Sequence, residues 1–231
     1  MLYKLHSTPF IFRICCIVIL ILSSRLSAQP VDKLSDFTVV RIKYDGGGDW
    51  YGNKTTFKNL FRLMTDELKI GTTIHEKTAT IMDENFFNCP VAYIAGHGNI
   101  RFSENEAARL RTYLTSGGFL FADDDYGMDV SFRREMKKVF PELNFVELPF
   151  THPIYKIYYD FPNGLPKIHE HAGGPPHGLG LIYNGRLVVF YSFNTDISDG
   201  CEDPEIHNDP LEKRMEALHM GINILLYAML N

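Results

Sequence analysis

The sequence predicts an α/β fold in which parallel strands alternate with helices around an open sheet. Three observations carry this. Short apolar runs rich in β-branched and aromatic residues alternate with stretches whose apolar residues recur at helical spacing. One run, Gly118 to Ala122, leads straight into Asp123-Asp124-Asp125 and is preceded by a helical segment of the length needed to cross between adjacent parallel strands. Near the C-terminal end, Asn184-Gly185 sits between two β-type runs, a strong two-residue hairpin signal. In an open α/β sheet ligands bind beyond the carboxyl ends of the strands, which is where the acidic triplet falls.

The first 28 residues read as a secretory signal. Lys4 and Arg13 precede an apolar run, Ile14 to Leu22, and Leu26-Ser27-Ala28 offers a small-residue cleavage site. The run is shorter than the roughly 20 residues a membrane span requires, so an uncleaved anchor is the second choice. Export to the periplasm or the extracellular space is therefore expected, with residues 29–231 forming one domain. Loss of Lys4, Arg13 and Arg25 takes the net charge from −5 to −8. That acidity, without a basic block, argues against nucleic acid and anionic membrane as partners, and no stable membrane span is expected after cleavage. Cys89 reads as a small apolar core residue and Cys201 as an exposed loop thiol, at opposite ends of the sheet; a disulfide is the weaker reading.

After a polar leader, Val31 to Asp36, the first strand is Phe37 to Tyr44. It ends in Asp45-Gly46-Gly47-Gly48-Asp49-Trp50. The glycines admit close backbone approach, yet neither G-x-G-x-x-G nor G-x-x-x-x-G-K-[ST] is present, so the phosphate signal is weak. Trp50 beside Asp49 is the pairing by which a polar ring such as a sugar is held. Thr55 opens a helix with Phe57, Leu60, Phe61, Met64 and Leu68 on one stripe, and Gly71 ends it. A second strand lies within Thr72 to Ile81, with His75 at its edge or surface. Val91 to Ala95 forms a buried strand that runs into Gly96-His97-Gly98. Ser103-x-x-Glu106 is a capping box for the crossover helix, Glu104 to Thr115, whose length makes the flanking strands parallel neighbours and so brings His97 close to Asp124; a turn histidine that only bonds a backbone carbonyl is the equal alternative.

Ser131 can open the next helix, whose Arg133, Arg134, Lys137 and Lys138 form a solvated face; Arg133 or Arg134 could instead pair with Asp124 or Asp125. Phe145 to Leu148 is a further strand candidate. Residues 154–183 break the rhythm with tyrosines, prolines and glycines, and with His169, His171 and His177. This marks a β-hairpin and loop insertion around 150–193, of the kind that carries function. His169 and His171 alternate as on a strand and face one side. With no H-E-x-x-H, loop-shaping hydrogen bonds are the main reading of these histidines and metal ligation the minority one. Strand Leu187 to Tyr191 feeds the acidic loop Asn194 to Asp203. Asp209-Pro210 starts a final helix whose buried stripe is Leu211, Met215, Leu218, Ile222, Leu225, Leu226 and Met229.

The set Tyr44 to Trp50, Gly96-His97-Gly98, Leu110 to Asp124 and Ala217 to Ala228 resembles the bacterial domain of unknown function 4159 family. The resemblance extends to the class I glutamine amidotransferase-like fold, which includes the ThuA-like trehalose-utilisation proteins. It implies a flavodoxin-like parallel sheet with helices on both faces and no established reaction. The turn where the amidotransferases carry their nucleophilic cysteine is here Asp123-Asp124-Asp125, so cysteine-based amide hydrolysis is not expected.

Three functions follow as expectations. The first is a non-catalytic domain binding a small polar ligand or carbohydrate through Gly47, Asp49, Trp50, His97, Tyr126, His171, His177 and Asp196. The second is a hydrolase using Asp124, Asp125 and His97, with clustered carboxylates raising one another's pKa or attracting a cation. The third is a cell-envelope protein-interaction module. Binding is placed first; no cofactor and no metal ligand set is assigned.

Overall fold

A computed structural model describes residues 37–69, 74–171 and 173–231. The expected signal, the leader, Gly71 and the beginning of the second strand lie outside the described residues.

Seven strands form one mixed sheet in the order β2-β1-β3-β4-β7-β6-β5. They are β1 (Phe37–Ile42), β2 (Ile74–Ala79), β3 (Val91–Gly96), β4 (Phe119–Asp124), β5 (Val146–Glu147), β6 (His177–Tyr183) and β7 (Arg186–Phe193). The run from β2 through β1, β3 and β4 to β7 is parallel, and β6 and β5 extend it antiparallel. Mostly parallel strands with helices on both faces make this the flavodoxin-like α/β architecture expected.

Strand alternation sorts the core into two layers. Val39, Val91, Tyr93, Phe119 and Phe121 pack under α1 (Thr56–Leu68) and α6 (Leu211–Leu230). Val40, Ile42, Ala92, Ile94, Leu120 and Ala122 pack under α2 (Glu104–Thr115) and α3 (Asp129–Val139). The same alternation carries into the acidic run. Asp123 follows the α1 side and Asp124 the α3 side, so adjacent carboxylates serve different surroundings.

The expected crossover is present: α2 joins β3 to β4, which pair in parallel with Gly96 opposite Asp124. Its capping box is complete, Ser103 accepting from the Glu106 N–H while the Glu106 carboxylate accepts from the Ser103 N–H. The Asn184-Gly185 turn has φ of 49° and 80°, as a tight hairpin joining β6 to β7 requires.

Several expectations are corrected. Helix α3 begins at Asp129, and Ser131 lies inside its first turn, where its hydroxyl is taken by the Met128 carbonyl and the Ile100 N–H. In the last helix Leu211 is exposed while Met220 and Ile224 are buried, because the helix packs over more of its circumference than one stripe. The expected hairpin strand at Leu181 to Tyr183 is longer than the sequence signals, since residues 177–180, read as irregular rim, also pair along β7. The loop after β7 contains two short helices, α4 (Ile197–Gly200) and α5 (Pro204–His207). They turn Cys201 inward, so it is fully buried rather than an exposed thiol; Cys89 is buried as expected, and both are free.

The sheet borders differ from its centre. β5 is two residues long, and β2 carries His75, Glu76 and Lys77. Among the described residues no helix is long and apolar enough to cross a membrane.

Candidate functional site

The site is assembled from four chain segments at the carboxyl end of the parallel strands. The first two close on each other. The Gly48 and Asp49 N–H groups donate to the Asn99 and His97 carbonyls at 3.0 and 3.3 Å, and the Arg101 N–H donates to Asp45 O at 2.7 Å. A Cβ on Gly48 would meet His97 O at 2.7 Å, so glycine is required for the approach. The amides of Gly48 and of the Asp49 that follows it are thus engaged within the protein rather than turned to a ligand. The buried Arg41 supports this loop from beneath, donating to Gly52 O at 2.8 Å and Asn53 O at 2.9 Å and pairing with Glu76.

His97 is half-exposed, and its partner is Asp49: the carboxylate accepts the His97 N–H, and Oδ2 lies 3.1 Å from Nδ1. The geometry thus joins His97 to Asp49 rather than to Asp124 or Asp125. Trp50 is partly buried, with Lys43 Nζ 5.5 Å from its ring centroid, and it does not line the cavity described below. A Cβ on Gly47 would meet nothing within 4 Å, which leaves that residue at an open position.

The third segment is the acidic turn. Asp123 and Asp125 are fully buried and Asp124 nearly so. Asp123 accepts from the Ser192 hydroxyl and from the Ser198 N–H at 2.6 Å. Burial pushes its pKa up to about 7 against the effect of those bonds. Asp125 accepts from Asn53 Nδ2 at 3.0 Å through one oxygen, while its other oxygen has no partner. Burial first, then the charges of Asp199, Asp123 and Asp196, hold it protonated well above the ordinary carboxylate range. Asp124 accepts from the Met128 N–H at 3.3 Å, and burial raises its pKa. Arg133 and Arg134 pair with Asp129 and Glu135, not with the triplet.

The fourth segment is the loop after β7, with residues 166–171 and 173–175 lashed across it. Ile168 N–H donates to Thr195 O at 3.0 Å, the Thr195 hydroxyl to Pro166 O, and Lys167 Nζ to Asn194 Oδ1 at 2.6 Å. Asn194 Nδ2 lies 3.1–3.4 Å from the carbonyls of Gly173, Gly174 and Pro175. This tie brings both histidines to one carboxylate. Asp196 Oδ2 lies 3.2 Å from His169 Nδ1 and 2.6 Å from His171 Nε2. Asp199 Oδ2 is 3.5 Å from His169 Nδ1, and Asp209 takes the other imidazole nitrogen at 3.1 Å. Hydrogen bonds to Asp196 and Asp199, with Asp209 adding to them, push the His169 pKa up to about 10. His169, His171, Asp196 and Asp199 each present a donor atom within 4.8 Å of the others, and Asp199 also belongs to a group with Glu202 and His207. These are the residues able to hold a metal.

Between the third and fourth segments lies a cavity of about 190 Å³ lined by Asp124, Tyr126, Gly127, Asp129, His171, Phe193, Asn194 and Asp196. Tyr126 has φ of 94°, a conformation that costs a bulky residue free energy, and it places a largely exposed ring 5.2 Å from that of His171. Larger hollows lie beside α3 and under residues 159–166, about 240 and 380 Å³; the first has no histidine or carboxylate in its lining, and the second has His219 with Asp160 and Glu216. Of the expected ligand-binding residues, Tyr126, His171 and Asp196 meet here. His177 lies one strand away, paired with Phe193 and 2.8 Å from Glu147.

The model of the family described as Domain of unknown function (DUF4159) matches residues 38–229. The chain belongs to this family. The match runs from β1 to the last turn of α6, so the sheet and all four site segments lie within the DUF4159 region. Curated proteins yield no match to the chain. Sequence reasoning missed Asp199, Glu202, His207 and Asp209 as partners of the histidines. The acidic loop and the His-x-His pair were both legible, but nothing in their spacing joined them.

Proposed function

We propose that this protein is an exported domain that binds a small polyhydroxylated ligand, a single sugar ring or polyol, in the cavity over Asp124. The observation that carries the reading is Tyr126, whose unfavourable backbone conformation holds an exposed aromatic ring at the rim of a carboxylate-lined cavity. Aromatic faces stack on the C–H faces of sugars, while carboxylates and amides such as Asp124, Asp129, Asp196 and Asn194 accept and donate to hydroxyls. The cavity is below the roughly 300 Å³ at which drug-sized pockets begin, which fits one ring better than a chain of them. We also read the sheet as a class I glutamine amidotransferase-like fold, distantly similar to ThuA-like proteins, with the acidic triplet in place of the cysteine turn. The fold likeness alone does not carry the function.

The test is calorimetric titration with a panel of monosaccharides and polyols. Binding is expected for at least one, and Tyr126→Gly should weaken it about tenfold or more, equivalent to about 1.4 kcal/mol, without lowering the melting temperature. Failure of every compound to bind, or equal affinity in the variant, defeats the reading. A hydrolytic reading has one observation in its favour: Asp124 faces the cavity with its pKa raised by burial, as a general acid requires. Turnover of a glycoside or ester, abolished by Asp124→Asn while binding persists, would favour that alternative.

A further inference from the structure

We propose that His169, His171, Asp196 and Asp199 form a site for one first-row divalent transition metal, zinc in type. The inference goes beyond sugar binding and stands even if no sugar binds, although His171 and Asp196 belong to both sites. Two imidazoles and two carboxylates make a mixed nitrogen–oxygen set suited to zinc and its neighbours rather than to magnesium or calcium, which prefer all-oxygen surroundings.

The spacing fits. Donor atoms about 2.0–2.1 Å from a tetrahedral zinc lie about 3.3 Å from one another. His169 Nδ1 lies 3.2 Å from Asp196 Oδ2 and 3.5 Å from Asp199 Oδ2. His171 Nε2, now 2.6 Å from Asp196 Oδ2, needs only to swing outward, and its side chain is more exposed than that of His169.

Two further observations separate this cluster from an ordinary group of acids. The first is the far side of His169. Its Nε2 lies 3.1 Å from both oxygens of Asp209, leaving Nδ1 for the cluster; a carboxylate on the remote nitrogen is the arrangement that orients metal-binding histidines. The second is Asp125, fully buried next to Asp124, which shares a cavity with His171 and Asp196, and with one carboxylate oxygen lacking a partner. A buried polar atom left unpaired is costly unless something completes its surroundings.

Protein stripped with a chelator and dialysed free of it should bind about one equivalent of Zn²⁺ or Co²⁺, with cobalt giving the visible absorption of a four- or five-coordinate centre. Magnesium and calcium in large excess should not compete. Asp209→Asn should weaken binding about 10–100-fold through loss of orientation alone. His171→Gln, at a half-exposed position where folding is readily retained, should weaken it at least as much. Circular dichroism of each variant checks the fold. Absence of stoichiometric binding overturns the proposal, as does unchanged affinity in His171→Gln or equal competition by calcium. The measurement is made without sugar, so its outcome is independent of the sugar titration.

Discussion

Asp123 shows how one side chain can set the pH response of the fold. It is fully buried, its carboxylate accepts from Ser192 and Ser198, and burial still outweighs those bonds and lifts its pKa from 3.8 to about 7. A carboxyl group whose pKa is raised by folding stabilises the native state while it is protonated. That contribution is complete below about pH 4 and is lost as the pH rises through about 7. Through Asp123 alone, metal-free protein should lose stability over this interval with a slope approaching about 1.4 kcal/mol per pH unit, and the raised pKa values of Asp124 and Asp125 act in the same direction. Urea unfolding at a series of pH values checks this. Asp123→Asn should flatten the slope; an unchanged slope in the variant would assign the effect to another group. The acidic triplet was legible as a site at the residue scale because apolar strand, acids and glycine are contiguous. The division of labour between Asp124, facing the cavity, and its two buried neighbours also follows from strand alternation once the strand is extended through Asp124. The partner of His97 was not legible, since Asp49 reaches it through a backbone approach that only the paired loops create.

At the scale of elements, local signals were reliable where the chemistry is local. The Ser103–Glu106 capping box and the Asn184-Gly185 turn depend on residues within one turn of each other, and both are present. Ser103→Ala removes the acceptor for the Glu106 N–H and should cost about 1 kcal/mol, measured as a shift of the urea midpoint with unchanged slope. A midpoint equal to that of the parent protein would show that the cap contributes nothing. Ser131 illustrates the opposite case. Its hydroxyl is engaged by the Met128 carbonyl and by the Ile100 amide in the distant loop after β3, so tertiary contact decides its position rather than capping preference. The stretch before β6 gave no period because its order comes from Asn194 and Thr195, which bond its carbonyls and amides from a different part of the chain.

For the whole molecule, the informative contacts are those that span long separations. His169 lies 27 residues from Asp196 and 40 from Asp209, and neither separation corresponds to a recognisable motif. The fold class was legible because parallel crossovers leave a regular pattern; the meeting of the rim loop with the acidic loop was not, because it depends on how two irregular segments settle over the same end of the sheet. The burial of Cys201 has the same origin, and it yields a test of the global packing. Both cysteines are buried, and burial, followed by the charge of Asp123, holds the Cys201 thiol well above its ordinary pKa. Native protein should react with a thiol reagent much more slowly than unfolded protein, about a hundredfold if an opening of about 3 kcal/mol is required. Rapid stoichiometric labelling of Cys201 in the native state would contradict the observed packing.

The margins of the sheet carry a consequence for handling the protein at high concentration. A second polypeptide can add to a sheet only where a flat border exposes enough backbone to dock against, and aggregation often begins that way. Here one border ends in the two residues Val146 and Glu147 and the other presents the exposed charge of Lys77. Recruitment of further chains into ribbons is disfavoured at either margin, so the highly apolar centre of the sheet can be built without seeding fibrils.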